Sequence, residues 1–177
     1  MKQSNYISKN VIILRAFIIT VVLAATASLG SAQTLNNGTS YKTAVGVRGG
    51  GTSGLTVKHF TNSTRAIEGI LGFYPNAFSA TFLVEKYTQA FDAAGLNWYY
   101  GIGGHIATQS DVVKGDGLYR RETSDFGLGI DGIFGIEYKI DGVPIAMSLD
   151  FKPFFEVATD GDAFIGLDPG LGIKVTF

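Results

Sequence analysis

From Gly129 to Pro153 the chain reads GIDGIFGIEYKIDGVPIAMSLDFKP, with an acid or base every few positions among Ile, Phe, Leu and Met. The Asp-Gly in its middle is a strong short-range signal for a two-residue hairpin turn of type I′ geometry. Folding about Asp141-Gly142 sets Ile140 against Val143, Tyr138 against Ile145, Ile136 against Met147, Phe134 against Leu149 and Gly132 against Phe151. Those pairs share one face, because side chains alternate across a strand. The other face pairs Glu137 with Ala146, Gly135 with Ser148, Ile133 with Asp150 and Asp131 with Lys152. One register therefore yields an oily face and a charged face, and a one-residue slip destroys both. Phe151 opposite Gly132 also predicts aromatic cover of a strand glycine.

The same pattern recurs along the chain. Around the tip YPNA, Phe73 faces Phe78, Leu71 faces Ala80, Gly69 faces Phe82 and Ile67 faces Val84, with Glu68, Thr81 and Glu85 on the reverse. Leu96, Trp98, Tyr100 and Ile102 alternate with Asn97, Tyr99, Gly101 and, further on, His105; Leu171, Ile173, Val175 and Phe177 alternate with Gly170, Gly172, Lys174 and Thr176. Eight apolar stretches result, near 41–49, 54–61, 65–74, 77–89, 96–107, 124–140, 143–157 and 163–177, each bounded by turn residues. The 24 glycines suit bent, closely approaching strands and weaken any helical reading. The links predict an asymmetric molecule. Those at 61–64, 92–95 and 141–142 are short, whereas 107–124 reads as a long charged loop on the opposite side.

The first thirty-two residues have the form of a secretory signal. Lys2 and Lys9 make a positive start, Ala16 to Ala25 a short apolar core, and Gly30-Ser31-Ala32 a small-residue cleavage site before Gln33, as exported chains require. Arg15 interrupts the apolar run, leaving it short of the roughly 20 residues a spanning helix needs. Residues 33–177 then form one domain with 11 bases against 15 acids, a formal charge of −4. That balance offers no basic face for nucleic acid. The absence of cysteine excludes a disulfide framework and thiolate metal sites. A chain without a second apolar helix can cross a membrane only with strands.

Three features turn the oily face outward. Aromatics gather near strand ends, with Trp98, Tyr100, Tyr138 and Phe177 at the terminal side and Phe73, Phe78, Phe126 and Phe155 opposite, like girdles at two membrane interfaces. The charged face is glycine-rich, as a narrow lumen requires. The export signal and final phenylalanine accompany both. The expected fold is an all-β, eight-stranded antiparallel up-and-down transmembrane β-barrel. Its polar lumen set is Lys42, Arg48, Lys58, Glu68, Glu85, Asp131, Glu137, Lys139, Asp150, Lys152, Glu156, Asp168 and Lys174, six bases against seven acids. Eight strands leave room only for side chains, so this set predicts an ion-paired, mostly closed plug.

The segments GLNWYYGIGGHI, GIDGIFGIEYKIDGVPIAMSLDFKP and GLGIKVTF resemble the small outer membrane β-barrel domain proteins of the Bacteroidota, with an architecture like the eight-stranded OmpA/OmpX type of Gram-negative bacteria. The resemblance spans essentially all of 33–177. It implies a cell outer membrane location, contact with outer-membrane lipid, and a last strand read by the barrel-assembly machinery, with Phe177 as the insertion signal. It implies no particular chemistry, so the expected role is structural or surface interaction through 107–124, without cofactor or catalysis.

A lipid A deacylase of the barrel type places a His and a Ser two residues apart. KHFTNS offers His59 with Thr61 and Ser63, which breaks that spacing and the nucleophile–base contact it serves. His59 reads instead as an interface residue near a turn. His105 lies on the glycine side of its strand and reads as a satisfied interior histidine. Asp111, Asp116, Asp125, Asp160 and Asp162 match no ordered calcium loop, and Arg120-Arg121 suits either lipopolysaccharide phosphates or loop solubility. Two other readings stay open: an enzyme acting on outer-membrane lipid, and a secreted lipocalin-like barrel with its oily faces inside.

Overall fold

The computed structural model describes residues 39–74, 77–114, 120–159 and 163–177. The expected signal peptide at 1–32 lies outside the described residues. Eight strands follow in order: β1 Thr43–Gly50, β2 Gly54–Asn62, β3 Arg65–Tyr74, β4 Ala77–Gln89, β5 Leu96–Lys114, β6 Arg120–Lys139, β7 Ile145–Ala158 and β8 Ala163–Thr176. Each pairs antiparallel with the next, and β1 pairs with β8, from Ala44 opposite Thr176 to Gly50 opposite Gly170. The chain is an all-β, closed up-and-down barrel, with no helix among the described residues. Closure leaves no sheet edge within the ring.

Alternation sets which residues enter it. Lys58 and Glu68 are buried, as are Leu83, Glu85, Tyr99, Ile133, Ala146 and Asp150. Their neighbours face outward: Val57, Phe82, Val84, Tyr100, Phe134, Leu149 and Ile173 are all exposed. The β3–β4 ladder pairs Phe73 with Phe78, Leu71 with Ala80, Gly69 with Phe82 and Ile67 with Val84, the register read from the sequence.

The β6–β7 ladder differs from its expected register by two residues. Ile136 lies opposite Leu149, Phe134 opposite Phe151, Glu137 opposite Ser148 and Asp131 opposite Phe154. Phe151 therefore does not cover Gly132. The turn is not two residues long but spans 140–144. Pro144, which a two-residue turn would place opposite Lys139, has no N–H to give a ladder. Here it sits in the link, and its carbonyl accepts from the Thr176 N–H at 3.0 Å. A two-residue shift preserves facing, so the oily and charged faces survive it.

The loop expected at 107–124 is mostly strand. β5 and β6 stay paired from Ala107 opposite Gly127 out to Lys114 opposite Arg120. β4 reaches β5 only as far as Gln109, and β7 reaches β6 only as far as Gly127. Residues 110–114 and 120–124 thus form a two-stranded ribbon beyond the ring. Val112, Val113 and Thr123 are β-branched, which favours extended backbone despite the surrounding charges. The links at the terminal end (63–64, 90–95, 140–144) are as long as those opposite (51–53, 75–76, 115–119, 159–162). The asymmetry lies in the ribbon and not in loop length.

The natural chain has no cysteine, so engineered pairs report register cleanly. Ile136→Cys with Leu149→Cys should cross-link on oxidation, since directly opposed strand residues lie within disulfide reach. Ile136→Cys with Met147→Cys, opposed only by a two-residue turn, sits on a diagonal of about 7–8 Å and should stay reduced. Mass spectrometry of the oxidised variants checks both.

Candidate functional site

The barrel interior is polar and tightly paired. Near the terminal end Tyr41, Phe60 and Tyr87 meet edge to face at 5.1 and 4.8 Å, and Tyr87 stacks on Tyr99 at 5.1 Å. Above this layer sits Lys58, with no exposed surface. Its Nζ lies 3.1 Å from Glu68, 3.0 Å from Glu85 and 3.5 Å from Glu137, and 4.5 Å from the Tyr99 ring centre. It also donates to the Tyr87 oxygen. Lys174 in β8 shares the same acids, at 3.3 Å from Glu68 and 3.7 Å from Glu137, and donates to Ser148 Oγ at 3.2 Å. Thr56 donates to Glu68, and the Tyr41 hydroxyl donates to Glu137 at 2.6 Å.

A second cluster fills the end away from the termini. Arg48 lies 2.6 Å from Asp150 and 3.1 Å from Asp168. Lys152 lies 2.7 Å from Asp131 and 3.4 Å from Asp168. His105 holds Asp131 on Nδ1 and Glu156 on Nε2, both at 2.7 Å. The Tyr99 hydroxyl, donating to Asp150 at 3.1 Å, joins the two clusters. Glycine supplies the room. A Cβ at Gly170 would stand 2.3 Å from the Arg48 guanidinium carbon, and one at Gly129 would stand 2.2 Å from His105 Cε1.

Of the residues assigned to the lumen, Arg48, Lys58, Glu68, Glu85, Asp131, Glu137, Asp150, Asp168, Lys152 and Lys174 are buried inside, and Glu156 is half-buried at the rim. Two assignments are corrected. Lys42 precedes β1 and is exposed, and Tyr41 fills the interior at that level instead. Lys139 turns to the β6–β7 link, where its Nζ donates to the carbonyls of Ile140 at 2.8 Å and Val143 at 2.6 Å. The interior is accordingly not balanced: among the described residues four bases face seven acids. Asp131 and Lys152 do pair, diagonally, because the long lysine stem bridges the shifted register. Tyr41, Phe60 and Tyr87 were missed, although Phe60 shares parity with Lys58 and Tyr87 with Glu85.

The assigned interface aromatics all lie on the outside. Tyr100, Tyr138, Phe73 and Phe78 are exposed, and half-buried Trp98 stacks on Phe134 at 5.5 Å. Phe177 directly follows β8. His59 pairs through Nδ1 with Thr43 Oγ1 at 2.9 Å, opposite it in β1, and contacts no serine among the described residues. His105 has carboxylates on both nitrogens and no nucleophile. Asp116, Asp160 and Asp162 lie outside the described residues, and no group of metal-ligating side chains occurs among those described. Comparison with family models, with curated proteins and with solved structures finds no match to this chain.

Removing the central cation tests the network. Lys58→Met leaves three carboxylates facing one another without their shared partner, and should cost about 3–5 kcal/mol, as for other broken buried pairs. Adding Glu85→Gln should recover part of that loss by removing one of the stranded charges. Urea unfolding of the refolded variants measures both.

Proposed function

We propose that this chain is an integral outer-membrane β-barrel protein with a mostly closed, ion-paired interior, serving envelope structure or surface interaction and catalysing no reaction. One observation carries the reading: polarity is inverted relative to a water-soluble barrel. Ten charged side chains are buried, whereas Ile102, Ile130, Ile165, Leu167 and Leu171 are each at least 60% exposed. A continuous apolar exterior of that kind suits lipid and far exceeds the patches soluble monomers tolerate. Trp98, Tyr100 and Tyr138 toward one end and Phe73, Phe78 and Phe155 toward the other match interfacial girdles. The secreted, lipocalin-like alternative needs its apolar faces inside, which is the reverse arrangement.

In this reading the export segment at 1–32 delivers the chain, and the last strand with Phe177 presents it to the barrel-assembly machinery. The β5–β6 ribbon, in place of a loop, is the part that extends to meet a partner. The filled interior supports a plug and not a pore.

Fractionation followed by electrophoresis with and without boiling tests the proposal. The protein should sediment with outer membrane, and the unboiled band should run ahead of the boiled one. Leu149→Arg should destabilise the lipid-embedded barrel by roughly 2–4 kcal/mol, the cost of a cation near the midplane. A water-soluble band with no heat shift, unaffected by Leu149→Arg, would overturn it. Planar-bilayer recording of the intact protein should give no large, steady conductance steps.

A further inference from the structure

The end of the barrel away from the termini holds a cavity of about 230 Å³, walled by Ser79, His105, Lys152, Phe154, Glu156 and Asp168 among others. Every cation near it is already engaged. Arg48 is held by Asp150 and Asp168, and Lys152 by Asp131 and Asp168. His105 is held by Asp131 and Glu156. A neutral imidazole has one N–H, so its two carboxylate contacts need a second proton, on the ring or on a carboxyl. Counting that proton, four carboxylates still outnumber the positive charges. The cavity repels anions and attracts a cation.

Two polar groups there have unused capacity. Ser79 is 7% exposed, and its buried hydroxyl has no hydrogen-bond partner among the described residues, a state that costs free energy unless something fills it. Glu156 uses only Oε2 on His105, and its side chain is 20% exposed. The missing side chain of Gly127 lets this carboxylate lie close to the β6 backbone: a Cβ there would stand 2.6 Å from Glu156 Oε1. The half-buried Phe154 ring, 5.5 Å from Lys152 Nζ, supplies an apolar, cation-tolerant wall. Among the described residues no group of His, Asp or Glu side chains is placed to hold a metal ion, and the aromatic wall of Phe154 suits an organic cation.

We propose that this mouth cavity binds a small primary-amine cation. Its ammonium donates to Glu156 Oε1, its short carbon chain lies on Phe154, and a second polar group a few bonds away meets the Ser79 hydroxyl. Ethanolammonium has that form. The site stands on the cavity itself and not on the membrane reading, since either environment leaves this end of the barrel with the same walls.

The test is calorimetric titration of the folded full-length protein, purified from whichever fraction contains it, with ethanolammonium chloride at constant ionic strength. Saturable binding is expected. Glu156→Gln should weaken it roughly tenfold or more by removing a charge-assisted hydrogen bond, and Ser79→Ala by a few-fold. Gly127→Ala keeps every charge but crowds the Glu156 carboxylate, and should also weaken binding. If Glu156→Gln fails to reproduce the far-ultraviolet circular dichroism of the natural protein, the Gly127→Ala and Ser79→Ala results decide. Glycerophosphoethanolamine run in parallel separates sources: weaker binding assigns a free amine and tighter binding a lipid headgroup. Equal binding of ethylene glycol, tighter binding of inorganic phosphate, or no heat at millimolar amine would each overturn the proposal.

Discussion

Three carboxylates surround the fully buried Lys58 ammonium, and the barrel is organised around that contact. A buried ammonium is tolerable only when its charge and its three N–H groups are all answered. Lys58 comes from β2 and its acids from β3, β4 and β6, while Lys174 brings β8 to two of the same acids. One pair of cations therefore ties together strands from all around the ring. This works because eight strands set opposite walls within reach of extended side chains. The aromatic layer of Tyr41, Phe60, Tyr87 and Tyr99 closes the terminal side and contributes hydroxyls to the acids.

The two ends of the interior differ in consequence. The Lys58 cluster is enclosed, and its surplus acid shows in Glu85, whose Oε1 has no partner among the described residues. The Arg48–Lys152–His105 cluster instead borders a cavity, so its surplus is open to an outside partner. Filling the lumen with charge also leaves the apolar side chains nowhere to go but outward. The polar interior and the apolar exterior are one consequence of the same alternation.

Glycine makes this packing possible. Arg48 lies against Gly170, His105 against Gly129 and the Tyr99 ring against Gly135, each at distances that exclude a Cβ. Bulky interior residues on one strand lie over glycines on its neighbours. That accounts for the glycine-rich charged face that the sequence already assigned to a narrow lumen.

Much of this was legible in advance, for a physical reason. Facing in a strand depends on parity alone, so the interior placement of Glu68, Glu85, Asp131, Asp150 and Lys174 could be read from alternation. Strand number and the β3–β4 register followed from turn residues close in sequence. Parity fails at strand ends, which is why Lys42 and Lys139 were misplaced: one precedes β1 and the other caps a link. The β6–β7 register depended on whether Pro144 could enter a ladder, and the 107–124 stretch on whether charged, β-branched residues would pair with each other. Alternation and turn residues suffice to specify an eight-stranded sheet with one oily and one charged face. Which charges meet, the excess of acids over bases among the described interior residues, and a cavity where Ser79 has no partner among those residues emerge only when the ring closes. Those outcomes depend on distances across the closed ring, which no local pattern encodes.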